Sequence, residues 1–374
     1  MQLGFNTMPI HPYYKDWRQC LREDHDAFVL ADELGFAEGY VGEHATDVEE
    51  NITSSMLFIA SLARLTKQIR LGTGTINLPN HHPGALACQV ALLDHLLDGR
   101  FILGIGPGGV PSDSELMGSY DKDRPAMLRE SIEHILALWA GEAPHNLTGQ
   151  FWNISTVKTT NPELHWGGVP KPLQRPHPPI VMPIASPFSQ SAFHAGSRGW
   201  GMISANFLPQ KWVKTHWAKY AEGCQHAGLS ASPAAWRVAR TIFVCDDERT
   251  ARAYAQGQDG PYYRYYEAIY RKFKVLGRGV DAFKESKDEP DSAISPGSMC
   301  EKFVLCGSPS RVADQILALR EDIGDFETLL YVGIDWQDRD LARNSMIKLA
   351  EKVLPLVEAA QSPRAGKVAT AGRA

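Results

Sequence analysis

The sequence of 374 residues predicts a (β/α)8 barrel, a TIM barrel carrying insertions at about 145–178 and 257–300. Three observations lead there. Short apolar runs alternate with stretches of helical periodicity, the links between them are short, and the alternation runs to the C-terminal end without a domain break. An open doubly wound sheet built from the same parts is the rival arrangement. One domain over residues 1–360 is expected, followed by a disordered low-complexity tail, 361–374, reading "QSPRAGKVATAGRA".

The elements follow in order. "LGFNTM" reads as a first strand and Trp17 to Leu34 as its helix. "AEGYVGEH" and Ser54 to Leu65 form the second unit, and "IRLGTGTIN" with Pro83 to Leu97 the third. "RFILGIG" leads to a helix over Arg124 to Trp139. The stretch from His145 to Pro178 is rich in Pro, Gly, Asn and Trp and reads as an irregular excursion over one end of the sheet. The rhythm then resumes with "PIVMPIA" and Ser189 to Ser197, "GWGMISANF" and Lys211 to Ala227, "WRVARTIFVC", and finally "ETLLYVGI". Between the last two strands lie a helix from Glu248, the aromatic stretch "GPYYRYYEAIYRKFKVLG", a polar run and a helix over Pro309 to Glu321. Two readings of this segment stand: a mobile lid, or a solvated loop with an extra packing helix.

Composition narrows the function. Hydrophobic residues make up 44% and charged residues 22%, with a formal net charge of −5, so no basic surface points to nucleic acid and no cationic amphipathic stretch to a membrane. None of the six cysteines forms a C-x-x-C pair, which argues against zinc and disulfide frameworks and for reduced thiols in a cytoplasm. "MQLGFNTMPI" lacks the basic and long apolar regions of a signal peptide. Scattered Asp and His residues lack the H-x-H or H-E-x-x-H spacing of shared metal ligation, so no metal is expected.

"GRFILGIGPGGVPSD", Gly99 to Asp113, contains a G-x-G-x-x-G at Gly104, Gly106 and Gly109. A dinucleotide fingerprint belongs to a first βα unit and opens directly into a helix. Here it follows the fourth strand and the clear helix begins only near Arg124, so the context is wrong. Glycine at a strand end still removes a Cβ and lets a planar ring approach the backbone. In a barrel the active site sits at the C-terminal strand ends. Those ends supply Glu43 and His44, "GTGTINLPNHHP", "GIGPGG" and "PIASPFS". In the last, Ala185, Ser186, Phe188 and Ser189 would place N–H groups and hydroxyls at a helix start, as a phosphate turn or as a plain serine N-cap.

At these same residues the sequence resembles the bacterial luciferase-like flavin monooxygenases, and within them the diketocamphane and limonene monooxygenase branch. "GEHATDVEENI", "LPNHHP" and "GRFILGIG" carry the resemblance, which runs over roughly residues 1 to 355. It implies a (β/α)8 barrel that binds reduced FMN and uses O2 as co-substrate through a C4a-peroxyflavin. It places His44 beside the flavin, a non-proline cis peptide at Gly74 and Thr75 under the isoalloxazine, Gly106 facing the ring, and Arg124 and the Ala185–Ser186–Phe188–Ser189 turn at the phosphate. Luciferases proper carry an arginine where this chain has Pro107, so one phosphate contact is missing or comes from elsewhere.

A histidine titrates near neutrality, so His44 can exchange the proton such chemistry needs; a purely structural His44 is the alternative. Glu43 could orient it, although alternation along a strand points neighbours apart. His81 and His82 have two readings, helix-capping or loop roles and lining of the substrate pocket. No reductase domain is visible, so a separate flavin reductase is expected to supply FMNH2. The expected substrate is small and apolar, a cyclic ketone, aldehyde or terpene. A homodimer through "SSMLFIASLA" and "ALACQVALLDHLL" is expected, with core packing as the competing reading of both segments. The alternatives in function are an F420-dependent oxidoreductase on the same barrel and a non-catalytic flavin-binding member.

Overall fold

The computed structural model describes residues 1–7 and 10–361. Eight parallel strands form a closed ring: β1 (Gln2–Thr7), β2 (Glu38–Val41), β3 (Arg70–Thr73), β4 (Phe101–Gly106), β5 (Ile180–Ile184), β6 (Gly201–Ser204), β7 (Trp236–Val244) and β8 (Thr328–Gly333). Each pairs with its neighbour, and β8 closes the ring by pairing with β7 on one side and β1 on the other. The helices that follow them are α1 (Trp17–Glu33), α2 (Ser55–Leu62), α3 (Pro83–Leu96), α4 (Arg124–Ala140), α5 (Gln190–Ser197), α6 (Gln210–His226), α7 (Pro309–Ile323) and α8 (Arg339–Lys348).

Local chemistry places the elements. The strands are apolar almost without interruption because both faces are covered; β2, β4, β7 and β8 are buried at every position. Asp16, Ser54 and Asp123 accept backbone N–H groups at the starts of α1, α2 and α4, satisfying donors the helices leave unpaired.

The apolar interior divides in two. One part lies between strands and helices; the other fills the barrel, where Tyr40, Ile102, Val181, Ile203, Ala239 and Leu330 meet. The aromatic insertion joins this second part. Its helix, Pro261–Val275, buries Tyr262, Tyr265 and Tyr266, with hydroxyls bonded to Ile242 O, to Asn206 and to Thr241 Oγ1. The aromatic stretch is thus a helix packed on the barrel by its tyrosines and not a solvated loop.

Several details differ from the sequence-based expectation. Two short strands differ: Ile76–Asn77, expected as the end of the third strand, is separate from β3 and pairs with the end of β4, and Val304–Gly307, not anticipated, pairs with the second half of β7. Both are too short to carry a periodic signal. A short helix, Pro111–Leu116, follows the glycine run directly, where no helix was expected before Arg124. The 145–178 excursion contains a hairpin, Asn146–Thr148 with Asn153–Ser155, which lies along α4: Glu130 accepts from the N–H groups of Gln150, Phe151 and Trp152. Gln361, placed at the start of the tail, instead ends the helix Leu354–Gln361; the rest of that tail lies outside the described residues.

At the N-terminal end of the barrel, Arg237 of β7 meets Glu38 of β2 inside the ring. Its Nη2 donates to Oε1 at 2.6 Å and its Nε to Oε2 at 2.8 Å, while Tyr40 Oη donates to Oε2 at 2.8 Å. Burial alone would raise the Glu38 carboxyl, but Arg237 outweighs it and holds the group below the usual range. Removing one partner strands a buried charge. Arg237→Met is expected to lower the unfolding free energy in urea by about 3–5 kcal/mol, and the double variant Glu38→Leu/Arg237→Met by less. Because the folded-state value is depressed, the stabilisation from this pair is present above the ordinary glutamate range and fades as pH falls through the lowered one. Urea midpoints measured between pH 7 and pH 3 check that sign.

Candidate active site

Eight parallel strands bring all their C-terminal ends to one rim. At the end of β2, Glu43 and His44 point to different places. Glu43 is buried and accepts from Ser55 Oγ (2.6 Å), Ser55 N (3.0 Å) and Asn77 N (3.2 Å), with His81 Nε2 at 3.4 Å. It therefore ties β2 to the start of α2 and to the segment beyond β3, and it does not orient His44.

The groups on His44 come from elsewhere. Asp113, on the short helix after the glycine run, lies 3.3 Å from Nδ1, and Glu50 lies 3.5 Å from Nε2. Thr46 fixes Asp113 by donating from its N–H (2.8 Å) and Oγ1 (2.6 Å) to Oδ1. Lys272, on the inserted helix, bridges Glu50 at 2.7 Å and Asp47 at 2.5 Å. Burial alone would push the His44 imidazole down, but the Glu50 and Asp113 carboxylates outweigh it and raise its pKa. Burial acts against the Asp113 carboxyl as well; its bonds from His44 and Thr46 nonetheless bring it down to about 2. The side chain of His44 keeps 19% of its surface exposed, so the ring is held but reachable.

Beside it, the Gly74–Thr75 peptide bond is cis, with Gly74 N–H bonded to Val41 O. The glycines of β4 serve this wall. A Cβ at Gly104 would stand 1.8 Å from Thr73 O, and one at Gly106 2.4 Å from Thr75 Oγ1. The missing Cβ of Gly106 accommodates Thr75, the second residue of the cis peptide. Arg124, the first residue of α4, donates to Ser114 Oγ at 2.6 Å, bracing the loop between β4 and α4.

The turn after β5 is exposed at Ala185, Ser186 and Phe188. Phe188 adopts φ +53°, and its N–H is bonded to Thr215 Oγ1. Ser189 is the N-cap of α5, accepting from Ser191 N. The capping reading of Ser189 is therefore present, and the first N–H groups of α5 have no partner within the helix.

His81 and His82 are set apart from His44. His81 reaches Glu43 and lines a groove between α2 and α3 with Leu57 and Leu92, and His82 is the exposed N-cap residue of α3. Among the described residues one group of His and carboxylates, His11, Glu23 and Asp335, is close enough for shared ligation. Lys15 already bridges Glu23 (2.5 Å) and Asp335 (2.6 Å). Burial opposes a charged His11, yet its bonds to Asp24 and Asp335 push it up to about 11. With His11 and Lys15 both bonded to Asp335, the group is bonded as an ion-pair cluster.

Sequence reasoning missed Asp113, Glu50 and Lys272. Only "VPSD", with proline opening a helix and a serine and an acid in its first turn, held a local signal, for Asp113.

Comparison with known proteins shows the family and the fold. The family described as luciferase-like monooxygenase matches residues 1–325. The chain is 31% identical over 373 residues to 2,5-diketocamphane 1,2-monooxygenase 2 of Pseudomonas putida, covering 96% of this chain and 99% of that one. It is 29% identical over 307 residues to the oxygenase component of a flavin-dependent trigonelline monooxygenase of Acinetobacter baylyi, covering 80% of each. Among solved structures, the oxygenating constituent of 3,6-diketocamphane monooxygenase from Pseudomonas putida, a type II Baeyer–Villiger enzyme in complex with FMN, superposes with TM-score 0.83 at 27% identity, covering 96% of this chain and 98% of that one.

Two outcomes are expected. Asp113→Asn removes a charge beside Nδ1 and lowers the His44 pKa, read from the imidazole Cε1–H shift by NMR titration. Gly106→Ala lowers stability by about 1–3 kcal/mol, and Thr75→Ala in the same chain restores most of it, read from thermal unfolding.

Proposed function

The chain belongs to the luciferase-like monooxygenases, and from that premise we propose that it is the oxygenase component of a two-component system, taking FMNH2 from a separate reductase and inserting one atom of O2 into a small apolar substrate. The observation that carries this reading is the pairing of one accessible, acid-flanked imidazole, His44, with the glycine-rich wall of Gly74, Thr75 and Gly106 at neighbouring strand ends.

The residues fit a flavin. The exposed turn from Ala185 to Ser189 suits a phosphate, because helix-start N–H groups and hydroxyls favour an anion. Arg124 is a further candidate for the phosphate: its Nη1 donates to Ser114 Oγ, and a guanidinium has other N–H groups to offer an anion. The wall at Gly74, Thr75 and Gly106 suits the flat face of the ring. A bound reduced flavin supplies the electrons that divide O2 between product and water. With its pKa raised, His44 can carry a proton and release it, while Asp113, steadied by Thr46, keeps the ring oriented through Nδ1. The inserted helix covers the rim, where Phe207, Phe273 and Phe283 cluster, and keeps water from the reacting atoms. That apolar cover supports a cyclic ketone, aldehyde or terpene as substrate.

A homodimer is part of the proposal. Leu57 and Leu92 are 74% and 61% exposed on α2 and α3, an apolar face of the kind copies of a chain bury. A cytoplasmic setting is supported by the six free cysteines. No helix among the described residues is long and apolar enough to cross a membrane.

Turnover with a general flavin reductase, FMN, NADH and 18-O2 tests the activity. Label in the product is expected; a reduced product without label would indicate hydride transfer from a deazaflavin instead. His44→Ala is expected to cut oxygenation by about 100-fold or more while FMN binding changes little; an unchanged rate would remove His44 from the chemistry. Leu57→Lys with Leu92→Lys is expected to halve the mass found by light scattering.

A further inference from the structure

Behind the turn after β5 lies a buried chain of hydrogen bonds that the proposed chemistry does not use. Trp236 Nε1–H donates to Ser204 Oγ at 2.9 Å. Ser204 Oγ lies 2.8 Å from His216 Nδ1, and His216 Nε2 lies 3.0 Å from Ser186 O. Ser204 and His216 have no exposed surface. Directions in this chain follow from its ends. The indole N–H can only donate and the carbonyl of Ser186 can only accept. Ser204 therefore receives from Trp236 and gives its own proton to Nδ1, which leaves the proton of a neutral imidazole on Nε2, pointed at Ser186 O. A single tautomer satisfies every group.

A second observation points the same way. Arg240, on β7, is buried, yet among the described residues no carboxylate bonds to it. Its Nη1 donates to Ala239 O at 2.9 Å, and its Nη2 has no partner. The groups that sense its charge are His216 on α6 and Tyr266 on the inserted helix. An uncompensated cation in a low-dielectric interior is costly, and its field reaches beyond its own contacts. It disfavours a second positive charge on His216, and burial brings that imidazole down to about 4, with Arg240 adding to the effect. Pro107 stands where the resemblance expects an arginine, so positive charge from beneath the turn takes on added weight.

We propose that His216 is a positioning residue for the anionic end of the cofactor: it holds the Ser186 carbonyl back into the protein, so that the turn presents N–H groups and hydroxyls outward, and Arg240 behind it supplies the positive field that favours a phosphate there. The inference rests on the reading of Ala185 to Ser189 as the phosphate turn.

The test is the ratio of the dissociation constants of riboflavin and FMN, measured by quenching of flavin fluorescence on the full chain, because riboflavin lacks only the phosphate. Wild type is expected to prefer FMN. His216→Ala should reduce that preference by about tenfold with riboflavin affinity unchanged, and His216→Gln, whose amide can donate from the Nε2 position, should restore part of it. Arg240→Met should also reduce it. Should His216→Ala not fold, Ser204→Ala, which leaves Nδ1 without its donor, should shift the ratio in the same direction by less. A wild-type preference for FMN that survives these substitutions overturns the role of His216 and Arg240 and leaves the phosphate turn standing. Equal binding of riboflavin and FMN by wild type overturns the phosphate turn itself, and this inference with it.

Discussion

Closure of the parallel ring is the constraint on which everything else depends. When β8 pairs with both β7 and β1, no strand of the ring is left without a neighbour on either side and all eight point the same way. The segments after each strand must then meet at one rim. Residues as far apart in sequence as His44, Asp113 and Lys272 become neighbours for this reason, although nothing near any of them in the chain specifies the others.

Charge in the interior follows a second rule. A buried ion persists only with a partner, and each cluster satisfies this with a particular geometry. Glu38 and Arg237 pair near the start of their strands. His11 sits between Asp24 and Asp335, and Glu50 is shared between His44 and Lys272. The inserted helix is thus bound to the β2 loop by charge as well as by its buried tyrosines, which links the rim's cover to the electrostatics of the imidazole beneath it. Arg240 departs from the rule, and its charge acts on His216, the imidazole bonded to the Ser186 carbonyl.

The glycines show how sequence can point to the right place for an incomplete reason. Gly104 and Gly106 mark a backbone approached closely, as their position at a strand end implies. The approaching atoms are Thr73 O and Thr75 Oγ1, from the adjacent strand. A glycine records that a Cβ has no room; it does not record what takes the room. The same limit applies to Ser189, where a capping hydroxyl and a phosphate turn have one signature in the chain. It applies too to His81 and His82, whose neighbouring positions lead one ring to Glu43 and the other to the surface.

By itself the sequence determined the barrel and the order of its strands and helices, because apolar alternation and helix-start residues act over a few positions and survive in one dimension. The motif set also pointed to the strand ends that carry His44, the Gly74–Thr75 peptide and the turn from Ala185 to Ser189. Only the tertiary structure decided the partners: Asp113 and Glu50 rather than Glu43 on His44, the tyrosines of the inserted helix packed with the barrel interior, and His216 on the Ser186 carbonyl. Apart from Glu50, which is close to His44 in the chain, those contacts join residues tens of positions apart, and their distances are set by the closing of the ring.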